Sequence, residues 1–189
     1  MTAKVAVRSM LLAGCLILTL SCSSGSASVH AGTGTIQVHL TDAPIDLTTV
    51  EKVEVTITDV IVYPGDDASD MPMVDPRTAT VLMTHPETFD LLTLTGGATT
   101  LLASGEVPAG DYQRIRLEIS AATITYKDGT SAPLKIDSGK VDVPIGFHVG
   151  VDETNAITLD FDAGASVQVN STGSDTLILR PVVTPLPHP

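Results

Sequence analysis

Ile157-Thr158-Leu159-Asp160-Phe161-Asp162 decides the fold class. Apolar side chains fall on every second residue, and residues two apart on a strand share a face. One side of this stretch, Ile157, Leu159 and Phe161, is therefore suited to a core, and the other, Thr158, Asp160 and Asp162, to water. The same period recurs in Ile36, Val38 and Leu40, in Val53, Val55 and Ile57, and in Ile115, Leu117 and Ile119. After Ile57 the run Val60-Ile61-Val62 breaks the phase, as a bulge or a doubly buried strand end would. Turn chemistry separates the runs. Lys127-Asp128-Gly129-Thr130 reads as a hairpin, and Gly96-Gly97, Ala109-Gly110-Asp111 and Ser138-Gly139 as other reversals. No segment carries a long helical period, with at most one helical turn expected at 98–104. The expectation is an all-β chain, an antiparallel β-sandwich of the immunoglobulin-like or transthyretin-like kind, with about eight to ten short strands and little or no helix.

The N-terminus has a different composition. Lys4 and Arg8 precede an apolar run from Met10 to Leu20, followed by Ser21, Cys22 and the polar Ser23-Ser24-Gly25-Ser26. Charge, apolar stretch and small residue in that order make an export signal. The cysteine after the small residue resembles the lipobox of bacterial lipoproteins, which implies acylation at Cys22 after removal of residues 1–21. Leu12-Ala13-Gly14-Cys15 is the better local match, but it leaves an apolar stretch shorter than the roughly seven to fifteen residues such a signal uses. The run is also short of the roughly twenty residues that span a bilayer. Residues 22–33 read as a flexible tether, 34–184 as a single β-sandwich domain and 185–189, rich in proline, as a loose tail.

Composition narrows the partners. The chain has 189 residues and a net charge of −12. From Cys22 onward eight Lys and Arg face 22 Asp and Glu, a net of −14. That sign disfavours nucleic acid and direct docking on anionic lipid. With Cys15 removed, an acylated Cys22 leaves no disulfide, so the exported domain relies on apolar packing. The longest polar insert, 64–79, contains Asp66, Asp67 and Asp70 and is expected to be a mobile loop.

The landmarks then fall into a recognisable order. Thr41-Asp42-Ala43-Pro44 closes the first strand, and Val53–Ile57 and Phe89-Asp90-Leu91-Leu92-Thr93-Leu94 follow. Next come Val107-Pro108-Ala109-Gly110-Asp111-Tyr112, Gly146-Phe147 before Leu159–Asp162, Ser166-Val167, and Leu179-Arg180-Pro181-Val182-Val183. This order resembles the bacterial and archaeal family catalogued as domain of unknown function 4382, common in exported lipoproteins. The resemblance implies a β domain over about 34–184 and carries no catalytic residues with it.

Chemistry is sparse. Gly164-Ala165-Ser166-Val167-Gln168 lacks the last glycine of a nucleophile elbow. Histidines 30, 39, 85, 148 and 188 share no metal-ligand spacing. There is no Trp, and Tyr63, Tyr112 and Tyr126 read as half-buried packing with wet hydroxyls. The best polar constellation is Asp160 and Asp162 on one face, with Asp42, preceding Ala-Pro, as a third carboxylate. One reading is a hard-cation site for calcium. The other pairs Asp160 and Asp162 across the sheet with Arg114, Arg116 or Arg180 and makes Asp42 a local turn cap. No catalytic residues and no cofactor are expected beyond that calcium. The expected protein is a lipid-anchored envelope module at the outer membrane or cell surface, held by Cys22, binding an envelope protein or matrix partner. The alternatives are calcium-dependent adhesion and a hydrolase whose site forms only in three dimensions.

Overall fold

A computed structural model describes residues 32–43, 48–65, 79–83, 85–170 and 176–186. Cys15, Cys22, residues 1–31, Asp66, Asp67, Asp70 and 187–189 lie outside them. The described chain is all-β. In order it forms β1 (Thr33–Thr41), β2 (Val50–Pro64), β3 (Thr80–Met83), β4 (Glu87–Asp90), β5 (Thr100–Pro108), β6 (Gly110–Tyr126), β7 (Ser131–Pro133), β8 (Lys135–Ile136), β9 (Lys140–Val149), β10 (Thr154–Phe161), β11 (Val167–Asn170), β12 (Thr176–Leu179) and β13 (Val183–Pro185). A 3-10 turn at Leu91–Leu94 and a four-residue helix, α1 (Ala163–Ser166), are the helical pieces among the described residues. Of residues 98–104, offered above as a helical turn, 100–104 instead open β5.

Two sheets face each other. One runs β13-β10-β1-β5. The other centres on the long β2–β6 pair, with β3 and β4 on one edge and β7 and β9 on the other. A small third sheet joins β11, β12 and β8. The thirteen strands among the described residues exceed the eight to ten expected because β3, β4, β7 and β8 are short edge pieces that periodicity over a few residues does not resolve. The sandwich is also not purely antiparallel. β1 and β10 pair in parallel, Thr35 opposite Thr154 through Thr41 opposite Asp160, and β12 pairs with β8 in parallel too.

The alternating residues meet at the interface between the sheets. Ile36, Val38, Leu40, Leu159 and Phe161 of one sheet and Val53, Val55, Ile57, Ile115 and Leu117 of the other are all fully buried. The phase break is a bulge: the β2–β6 register shifts between Ile57 and Asp59, and Val60 and Val62 return to the core. The expected hairpin forms between β6 and β7. Gly129 adopts φ +85°, which suits glycine, and the Asp128 carboxylate accepts the Thr130 N–H at 2.8 Å. Tyr112 differs from expectation. It is buried, its hydroxyl donates to the Pro108 carbonyl at 2.8 Å, and burial pushes its pKa up to about 12.

One C-terminal assignment changes. Pro181 lies in the link between β12 and β13. Pro185 belongs to β13, opposite Leu159, and the Leu186 N–H donates to Thr158 at 2.9 Å, so the domain extends past the boundary drawn at 184.

Phe161→Ala should lower unfolding stability by about 3–5 kcal/mol through the cavity it leaves. Thr158→Ala, on the other face of β10, should cost less than about 0.5 kcal/mol. Urea midpoints that fall equally for the two would contradict this strand phase.

Candidate functional site

The candidate carboxylates meet where β1 and β10 end. Because the two strands run parallel, their C-terminal ends lie side by side, and Asp42, Asp160 and Asp162 are brought into one neighbourhood. Thr41 anchors the spot, its hydroxyl 3.1 Å from the Leu94 carbonyl and 2.8 Å from that of Ala98. The Asp42 N–H donates to the Leu94 carbonyl at 3.2 Å. Asp42 itself is only 3% exposed, and its Oδ1 accepts the Ala163 N–H at 2.8 Å. That bond spans 121 residues, so the side chain ties the end of β1 to α1 and is not merely the local turn cap expected. Asp162 caps α1 by accepting the Ala165 N–H at 2.8 Å.

The cross-sheet pairing with arginines does not occur. Arg116 makes a two-pronged bond to Asp142, at 2.8 and 2.9 Å. The Arg114 guanidinium lies 3.9 Å over the Tyr63 ring with its Nε 3.6 Å from Asp142. Arg180 pairs with Asp137 at 3.5 Å. Arg114 and Arg116 stand on the outward face of the β2–β6 sheet, across the core from the carboxylates, and that separation is not written in either strand's sequence.

The cluster is therefore uncompensated. Asp42 Oδ2 and Asp160 Oδ1 are buried and have no hydrogen-bond partner among the described residues. Burial, reinforced by the charges of Asp160 and Asp162 and opposed by the Ala163 N–H, moves the Asp42 carboxyl up to about 6. Burial and the Asp162 charge raise Asp160 too. Among the described residues, no group of three or more His, Cys, Asp or Glu side chains is arranged to hold a metal ion. His148 pairs with Asp111 at 2.8 Å on the surface. Ser166, set aside above as a nucleophile, is buried, its hydroxyl donating to the Asp162 carbonyl and accepting from the Val182 N–H.

Thr41 also borders an open cleft of about 900 Å³ along the seam between the sheets. One wall is Ile145, Gly146 and Phe147 of β9, and the other is residues 154–158 of β10. Pro185 and Leu186 form a lip, and Gly97 and Thr99 close one end. Phe147 stacks on Tyr112, centroids 5.3 Å apart, which fixes the apolar wall. Sequence reasoning missed this cleft. Its trace in the sequence was Gly146-Phe147, a small residue beside an aromatic one within a β run.

Residues 33–181 match the family described as a domain of unknown function, DUF4382. The chain belongs to this family. No curated protein and no solved structure matches it. The match stops short of β13, so the strand that lies along β10 in this DUF4382 domain falls just beyond the matched span. No helix among the described residues is long and apolar enough to cross a membrane.

The Asp42 carboxyl gives a signed pH dependence. Its pKa is higher folded than unfolded, so between about pH 4 and 6 the folded state binds more protons. Its contribution to stability thus falls as pH rises through that window and is flat above it. Asp42→Asn keeps an oxygen for the Ala163 N–H and removes the charge. It should raise stability at pH 7.5 by about 1–3 kcal/mol and change little at pH 4. Melting temperatures of the two proteins across pH 4–8 check this, and a variant less stable at pH 7.5 would contradict it.

Proposed function

We propose that this DUF4382 protein is a non-catalytic binding or structural module of the bacterial cell envelope, exported and held at the outer membrane or cell surface by a lipidated Cys22. In this reading the cleft between β9 and β10 is its contact surface for an envelope protein or matrix component. The cleft is the observation that carries the reading. It joins apolar walls at Ile145, Phe147 and Leu186 to a few polar groups, Thr154, Asn155 and Thr158, the mix that small binding sites use. A non-catalytic role is favoured because the carboxyl shifted toward neutral pH, Asp42, is buried and spends one oxygen on the Ala163 N–H. A net charge of −14 after removal of residues 1–21 argues against nucleic acid as the partner.

A second reading is calcium-dependent adhesion through Asp42, Asp160 and Asp162. The two orphaned oxygens, Asp42 Oδ2 and Asp160 Oδ1, favour it, and a hard cation would satisfy both. It needs oxygen ligands beyond this trio. The readings part on one variant: under the calcium reading, Asp42→Asn lowers the melting temperature in millimolar calcium but not in magnesium, whereas under the first reading both ions act alike.

Gly146 offers a clean test of the cleft. A side chain there meets open space, and its backbone is outside the left-handed region. Gly146→Trp, the sole Trp in the chain, should fold with an unchanged melting temperature and fill the cleft. Retention of the unlipidated Cys22→Ala chain on washed envelope fragments should fall at least about tenfold with Gly146→Trp added, ~1.4 kcal/mol of binding. Equal retention would remove the cleft from the reading. Labelling with a palmitate analogue should mark the wild type and Cys15→Ala but not Cys22→Ala.

A further inference from the structure

The cleft between β9 and β10 is lined by neutral groups alone. None of the described residues along it is charged, although the chain carries 10 Lys and Arg and 22 Asp and Glu. Its polar groups are hydroxyls and amides. Among the described residues, the hydroxyls of Thr99, Thr154 and Thr158 make no hydrogen bond. The Asn155 side chain donates to the His148 carbonyl at 2.7 Å, which fixes the amide and leaves its Oδ1 as an acceptor.

The backbone of β10 adds to this row. The Thr35 N–H donates to the Glu153 carbonyl at 2.7 Å, so the odd residues of β10 face β1. Backbone groups alternate sides along a strand, and Thr154 and Ala156 therefore turn an N–H and a C=O each to the other edge. Among the described residues, no strand pairs with that edge until Leu186, whose N–H donates to the Thr158 carbonyl at 2.9 Å. Opposite stands the apolar wall of Ile145 and Phe147, with the Phe147 ring held by its stack on Tyr112.

Three classes of ligand meet such a surface differently. A lipid tail would bury the unpaired hydroxyls and backbone groups without replacing their water, at a cost for each. An extended peptide binds an edge through a ladder, and only Thr154 and Ala156 are open to one before Leu186 takes the edge. A sugar ring carries C–H groups on its faces and hydroxyls around its rim, each both donor and acceptor. It meets an aromatic wall and a row of mixed donors and acceptors at once. An acidic sugar is repelled by the net charge of −14 from Cys22 onward.

We propose that the cleft binds a neutral glycan chain of the envelope matrix, with sugar C–H groups against Ile145 and Phe147 and sugar hydroxyls on Thr154, Asn155, Thr158 and the open backbone of β10. A glycan ligand rests on the cleft reading above and narrows it from an envelope protein or matrix component to a polysaccharide.

Retention of the Cys22→Ala chain on washed envelope fragments tests this. Periodate cleaves the vicinal diols of sugars, and borohydride then caps the aldehydes. Fragments treated in this way should retain at least about tenfold less protein, whereas proteinase K digestion, followed by inactivation of the protease, should leave retention within about twofold. The neutral polysaccharide of the fragments, collected as the flow-through of an anion exchanger, should release the bound chain. Raising salt from about 0.05 to about 0.5 M should change retention less than about twofold, because an uncharged ligand is not screened. Thr154→Val with Thr158→Val removes two hydroxyls at nearly constant shape, with a residue suited to strands. The variant should keep its melting temperature and lose at least about fivefold in retention. Retention that survives periodate but not proteinase K would overturn the proposal and leave an envelope protein as the partner. Failure of the neutral polysaccharide to release the chain would overturn it too. So would equal or stronger retention of the valine variant, the result an alkyl ligand gives. Failure of the cleft reading itself is seen separately, as retention that Gly146→Trp leaves unchanged.

Discussion

The parallel pairing of β1 with β10 is the constraint on which the rest of the structure depends. Parallel neighbours need a crossover connection. Here the crossover is the chain between Thr41 and Thr154, and it contains the whole β2–β6 sheet. The first and last long strands of one sheet are therefore joined only after the other sheet has been made. The core that results is long-range: Ile36, Val38 and Leu40 pack with Leu159 and Phe161, residues more than a hundred positions away. Such topology is expected to fold slowly, because loop-closure entropy is spent before the contacts that offset it exist.

The acidic cluster is a by-product of the same pairing. Antiparallel strands would place Asp42 and Asp160 at opposite ends of the sheet. Parallel register puts Thr41 opposite Asp160, and Asp42 then falls beside Asp160 and Asp162. The Ala163 N–H satisfies one oxygen of Asp42 and closes β1 onto α1, while the second oxygen has no partner among the described residues. Arg114 and Arg116 stand on the far side of the core, where Arg116 and Asp142 face each other in the β6–β9 register, and Arg180 pairs with Asp137. Exposed pairs of that kind add about 0–1 kcal/mol each. The buried, unpaired carboxylate therefore weighs more in the stability balance near neutral pH than the visible ion pairs do.

Much of this was legible in the residues. Period-two alternation located β1, β2, β6 and β10 and the faces they bury, and the break at Val60 located the bulge. Asp-Gly chemistry located the β6–β7 turn, and the order of landmarks pointed to the family. Asp42 could be grouped with Asp160 and Asp162 as a third carboxylate, but not for the right reason, since strand pairing is not written in periodicity. Nor could the partners of Arg114 and Arg116 be read, because the alternation of a strand gives its faces and not its neighbours. The prolines at the C-terminus misled for a related reason. Proline forbids only the donor on its own side, and without the register Pro185 looked unable to join a sheet. The cleft was hidden because its walls belong to different sheets, so that residues such as Phe147 and Ala156 become neighbours only through the fold.

Native-state hydrogen exchange of the β1–β10 ladder tests the central role of the parallel pair most directly. The amides of Gln37, His39, Ile157 and Leu159 should open only with global unfolding, at the same free energy as those of Ile115 and Leu117 in β6. If the β1–β10 amides instead exchange through a lower-energy opening while β2 and β6 stay closed, the two sheets are separate units and the parallel closure does not hold the domain together.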